Sequence, residues 1–144
     1  MSGGDAAAAL HRGLVTALKA DATIAGLVAD RIYEWPGDDA TYPMITVGDY
    51  TSTPWDTDTS VGSEIDITVH TWARGPSGRV VARRIGEAVT DLLHRQRITA
   101  AGYIVVDVQR TFADVWRDEA SEATSKSDTA HGVYRYHAVL DYTG

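Results

Sequence analysis

The sequence contains no cysteine. That excludes disulfide frameworks, thiolate metal sites and cysteine nucleophiles together. It has no apolar run near the roughly 18 residues that a membrane-spanning helix needs. The segment Met1-Ser2-Gly3-Gly4-Asp5 lacks the basic flank and apolar stretch of a signal peptide, so the chain is expected to be made in the cytoplasm. Positive charge is also in deficit. A net charge of −7 argues against a general nucleic-acid binder, whose affinity comes from neutralising phosphates with Lys and Arg.

Catalytic signatures are missing as well. Gly75-Pro76-Ser77-Gly78-Arg79 is a glycine-bearing turn before a helix, but it lacks the spacing and terminal Lys-Ser/Thr of a phosphate loop. No Gly-x-Ser-x-Gly elbow occurs, and no Ser or Thr has an evident base. The run from Asp56 to Gly62 looks superficially like a calcium loop. It carries Val61 and Ile67 where that motif needs glycine and glutamate, so it reads as a solvated hairpin tip. Five histidines occur, at 11, 70, 94, 131 and 137. His131 and His137 share a strand face yet sit about 20 Å apart, too far to share a metal; strand pairing could bring His70 near them. The expectation is no catalytic residue, no metal and no cofactor.

What is present is an ordinary globular composition, 44% hydrophobic and 23% charged over 144 residues. That length corresponds to about one domain, taken as residues 1–144. Charge is unevenly placed: Arg74, Arg79, Arg83, Arg84, Arg95 and Arg97 stand against only Glu87 and Asp91 in the same stretch. Such polarity suits head-to-tail contact between copies of one subunit.

Asp5 caps a predicted helix over residues 6–20, with Leu10, Leu14, Ala17 and Leu18 at helical spacing. Asp21 reads as a second cap for a short helical turn carrying Ile24, Leu27 and Val28. Arg31-Ile32-Tyr33 is a brief strand, and Trp35-Pro36-Gly37-Asp38-Asp39 a turn. Residues 44–50 form a strand. Residues 64–72 alternate, Ile65, Ile67, Val69 and Thr71 facing one way and Glu64, Asp66, Thr68 and His70 the other, as in a sheet wet on one side. A helix capped by Ser77 carries Val81, Ile85, Ala88, Val89, Leu92 and Leu93 on one stripe. Two long strands follow. Ile104, Val106, Val108 and Phe112 share a face of the first. Tyr134, Tyr136, Ala138, Leu140 and Tyr142 share a face of the second. Residues 51–62 and 118–130 are too polar to pack and are expected to be mobile loops. The fold class is α+β: an antiparallel sheet with two main helices packed on one face, in the order α-β-β-α-β-β. Trp35, Trp55 and Trp116 fall at loops or strand ends, where aromatic anchors serve interfaces.

An ordered series of local features carries a resemblance. Leu18-Lys19-Ala20-Asp21 precedes Leu27-Val28-Ala29-Asp30-Arg31-Ile32-Tyr33. Then come Tyr42-Pro43, Val47-Gly48-Asp49 and Trp55-Asp56. Thr68-Val69-His70-Thr71-Trp72, the arginine-rich helix ending in Leu92-Leu93-His94, and His131-Gly132-Val133-Tyr134-Arg135-Tyr136 complete it. Over about residues 10–142 this series resembles the phage tail-completion (tail-terminator) family of small prophage proteins, found also in gene transfer agents.

The resemblance implies a structural ring subunit, not an enzyme. A homo-hexamer at the head-proximal end of the tail would end tail-tube polymerisation and join the tube protein to the head–tail connector or adaptor. DNA would pass through the lumen without specific binding, and no membrane is involved. A connector-adaptor ring of the same neck is the alternative; a small ligand-binding or enzymatic domain using His70, His131 and His137 is a more distant one. A ring needs two complementary patches per subunit. Arg79, Arg83 and Arg84 on the helix, and Asp56, Asp58, Asp118 and Glu119 on the loops, are candidate patches, with Trp35, Trp55 and Trp116 as anchors.

Overall fold

Two aspartates open the first two helices by the same device. The Asp5 carboxylate accepts the Ala8 N–H at 3.0 Å and starts α1 (Ala6–Ala20). Asp21 accepts the Ile24 N–H at 3.0 Å and starts α2 (Ala22–Val28), while its own N–H closes α1 on the Leu18 carbonyl. Each satisfies backbone donors that a helix start leaves unpaired. Leu10, Leu14 and Leu18, four residues apart, are fully buried; each such side chain contributes about 1.5–3 kcal/mol.

The computed structural model describes residues 5–37, 40–56, 61–119 and 128–143, with the backbone alone at 118, 119 and 128. After α2 come β1 (Ile32–Tyr33), β2 (Met44–Pro54), β3 (Gly62–Arg74), α3 (Gly78–Leu93), β4 (Tyr103–Glu119) and β5 (Asp128–Tyr142). The strands form one five-stranded sheet ordered β1-β2-β3-β5-β4. The α+β class with helices on one face holds. The sheet is mixed, though, not wholly antiparallel, because the two-residue β1 adds to β2 in parallel through Ile32–Ile45 and Tyr33–Thr46. All other pairings are antiparallel.

The core is one cluster between the helices and one sheet face. It joins Leu10, Leu14 and Leu18 to Ile85, Val89 and Leu93 of α3, and both to Ile65, Ile67 and Val69 of β3 and Tyr134, Tyr136, Ala138 and Leu140 of β5. The expected inward residues Ile65, Ile67, Val69 and Thr71 of β3 and Tyr134, Tyr136, Ala138 and Leu140 of β5 are buried, while Thr68 and Val133 on the other face are buried as well. α3 lies close to the sheet because Gly86 faces Tyr134; a Cβ there would come 1.9 Å from the ring carbon Cζ. Thr71, buried on the same face, donates to the Ala82 carbonyl at 3.0 Å and ties β3 to the helix. Ser77 occupies the N-cap position of α3 but makes no capping bond with its side chain.

β4 departs from the expected faces. Val105 and Val108 are buried, whereas Ile104, Val106 and Phe112 are exposed. The register against β5 shifts between Val105 and Asp107, and again between Arg110 and Phe112. Each bulge inserts one residue and inverts the alternation beyond it, so a uniform period misassigns the strand.

Strand pairing reaches into the ends of both polar stretches expected to be loops. β2 continues through Pro54 opposite Ser63, and β4 runs to Glu119 opposite Asp128. Backbone pairing needs no apolar side chains, so polar residues extend both hairpins. Ala130 is buried with Ala73 and Ala82 in a small cluster beside the start of α3. Residues 57–60 and 120–127, the remainder of the two stretches, lie outside the described residues.

Candidate assembly surfaces

The sheet face away from the core carries its own order. Cross-strand register places Trp72 of β3, His131 of β5 and Trp116 of β4 in one row. The Trp72 and His131 rings stack at 3.8 Å between centroids, and Trp116 tilts against His131 at 4.8 Å. His70 Nδ1 lies 2.8 Å from His131 Nε2, and His70 Nε2 lies 3.5 Å from the Asp49 carboxylate. Trp72 donates its indole N–H to Thr46 Oγ1 at 3.0 Å. The row is thus pinned at its β2 side by polar contacts while Trp116 remains 38% exposed.

Farther along the same face, Arg135 lies over the Phe112 ring at 4.8 Å. His137 sits between two carboxylates, its Nδ1 2.8 Å from Asp66 and its Nε2 3.1 Å from Glu64. The hydrogen bond to Asp66 is the main cause that raises the His137 pKa; partial burial opposes it and Glu64 adds to it. The His131–His137 separation expected from the sequence therefore resolves into two different clusters, with His70 joining only the first. Among the described residues no group of three or more His, Asp or Glu is arranged to hold a metal ion.

The residues singled out as interface candidates lie in several separate places. Trp35 projects, 89% exposed, beside an open groove of ≈ 630 Å³ whose walls include Met44 and Trp72. Arg79, Arg83 and Arg84 line the solvent side of α3. Their basic neighbours are engaged: Arg74 stacks over the Tyr42 ring at 4.0 Å, Arg95 pairs with Asp107 at 2.9 Å. Trp116 packs into the ring row instead of standing free. Trp55 and Asp56 turn back on their own hairpin, Trp55 N–H bonding the Gly62 carbonyl and Asp56 Oδ1 accepting the Gly62 N–H at 3.2 Å. Asp118 and Glu119 stand at the end of β4, and Asp58 lies outside the described residues. The Trp72–His131–Trp116 row and the Glu64–His137–Asp66 clamp were not anticipated. Their members are spread over three strands, and the signal in the sequence was that Glu64, Asp66 and His70 lie on the wet side of an alternating strand.

The molecule is a two-layer α+β domain whose open sheet face bears stacked aromatic rings and ion pairs. The family model for "Tail completion protein gp17" matches residues 12–141, and the chain belongs to that family of structural phage-tail proteins. A tail completion protein gp17 from Bacillus phage SPP1 is 29% identical over 108 residues, 75% of each chain. The structure is similar to a chain in the virion of a native gene transfer agent particle, with a TM-score of 0.81 and 22% identity over 96% of this chain and 98% of that one. It is also similar to the gp17 protein of bacteriophage SPP1, with a TM-score of 0.58 and 25% identity over 92% and 89% of the two chains.

Proposed function

We propose that this protein is the tail terminator of a phage or phage-like particle. It assembles as a closed ring, a hexamer, at the head-proximal end of the tail. There it stops tube polymerisation, meets the tail tube protein on one side and the head connector on the other, and lets DNA pass. The observation that carries this reading is the family match over residues 12–141.

The geometry supports it on two counts. A ring of identical subunits requires two different, non-overlapping surfaces, and this fold offers an α3 face rich in arginine and an opposite sheet face rich in aromatic rings and carboxylates. The net charge of −7 per subunit also suits a passage for DNA, since an acidic lumen repels phosphates and does not retain them.

Electron microscopy of particles made without this protein tests the assignment. Overlong tails, or tails not joined to heads, are expected. Leaking heads accompanied by free tails of normal length would overturn it in favour of a connector-adaptor ring.

A further inference from the structure

The groove beside Trp35 and the outer face of α3 complement each other in polarity and charge. The groove opens on the sheet face away from the helices. Its apolar walls are Trp35, Met44 and Trp72, and its rim carries Glu34 and Asp49. Among the described residues that line it there is no lysine or arginine, and the nearest cation recorded, Arg74, is stacked over the Tyr42 ring of its wall at 4.0 Å. The Asp49 side chain is 80% exposed and, among the described residues, pairs with His70 at 3.5 Å, which leaves most of the carboxylate open to a further partner. A tryptophan left this exposed is unfavourable for an isolated subunit and is the kind of side chain that anchors interfaces.

On the opposite side of the molecule, α3 presents Val80, 59% exposed, with Arg83 and Arg84 three and four residues on, hence flanking it on the same helix face. Arg79 borders them. Glu87, the acid nearest to this patch, is neutralised by Arg110 at 2.9 Å; Asp91 stands a further turn away. The result is an apolar knob ringed by guanidinium groups with no ion pair among the described residues. Guanidinium groups also favour the faces of tryptophan rings.

We propose that the Val80–Arg83–Arg84 face of α3 on one copy seats in the Trp35 groove of the next. Val80 fills the apolar floor between Trp35 and Met44, and the arginines meet Glu34 and Asp49 at the rim. This rests on the ring reading above and names its subunit contact. The two surfaces lie on opposite layers of the domain, so each copy can donate its helix to one neighbour and its groove to another. Such a heterologous contact closes into a ring or continues as a filament, according to the rotation per step. It also replaces the loops around residues 56–58 and 118–119 as the acidic partner of the basic helix.

The cysteine-free sequence permits a clean test. The full-length chain carrying both Trp35→Cys and Val80→Cys is assembled into particles, treated with a short bis-maleimide, and run on a denaturing gel. A ladder of covalent multimers ending at the ring size is expected, with each single variant remaining monomeric. Charge exchange gives a second readout. Arg83→Glu with Arg84→Glu should lower the yield of joined particles about tenfold at low salt. Glu34→Lys with Asp49→Asn should do the same, the asparagine accepting the left-handed backbone at φ 56. The four changes together should recover most of the loss. Rings that form without the ladder, or a fourfold variant no better than its halves, overturn this contact and leave the ring standing. Wild-type particles with no ring at this position overturn both.

Discussion

The two faces of the sheet are built from alternate residues of the same strands, yet they are used in opposite ways. On the helix side, Ile65, Ile67 and Val69 of β3 meet Tyr134, Tyr136 and Leu140 of β5 in a nearly solvent-free layer. Even the tyrosine hydroxyls are absorbed: Tyr136 OH lies 2.8 Å from Thr90 Oγ1, and burial pushes its pKa far up. On the open side the same strands carry Glu64, Asp66, His70, Trp72, His131, Arg135 and His137, joined by stacking and charged hydrogen bonds and left partly wet. The first face holds the fold through area removed from water. The second holds little of the stability, because exposed ion pairs are worth only about 0–1 kcal/mol each. It is the face with freedom to meet partners.

The contrast is broken most severely from the helix side. Leu14→Ala removes a fully buried side chain of α1 and should cost about 3 kcal/mol in urea unfolding. Trp35→Ala, at an 89% exposed position, should change the same measurement by less than about 0.5 kcal/mol. Equal losses at the two sites would remove the distinction between faces. Next in size, Gly86→Ala pushes a methyl group into the Tyr134 ring and should cost about 2 kcal/mol as α3 is lifted from β5. A neutral outcome would mean that the helix is free to shift.

The smallest effect concerns pH. His137 has a pKa raised above its ordinary value of 6.5, chiefly by Asp66. The folded protein therefore holds that proton more tightly than the unfolded chain does. Its contribution is complete below 6.5 and drains away as pH rises through the folded value. His137→Gln should flatten the melting-temperature profile in that window. A variant profile parallel to wild type would mean that the clamp contributes nothing.

The helices were legible in the sequence because their signals are local. Asp5 and Asp21 cap residues three positions on, and the leucines of α1 recur at a spacing that a single turn enforces. β4 was not legible: its two bulges depend on how its backbone meets β5, and nothing within residues 103–119 announces where an extra residue will be inserted. The extension of the strands into the polar hairpin ends was not legible for a related reason, since pairing there is made by the backbone and leaves no apolar pattern. Trp55 was expected at a loop or strand end and follows the last residue of β2, but its fold back onto Gly62 is a tertiary matter.

By itself the sequence determined the α+β class, both aspartate caps, the core stripes of α1 and α3, and the family, because periodicity, capping and motif order are written in neighbouring residues. Only the tertiary structure decided that Trp72, His131 and Trp116 share one row, that His137 is gripped by two carboxylates, and that Trp35 stands over a groove. Those arrangements are set by register between strands far apart in sequence, where a shift of one residue would turn every side chain to the other face.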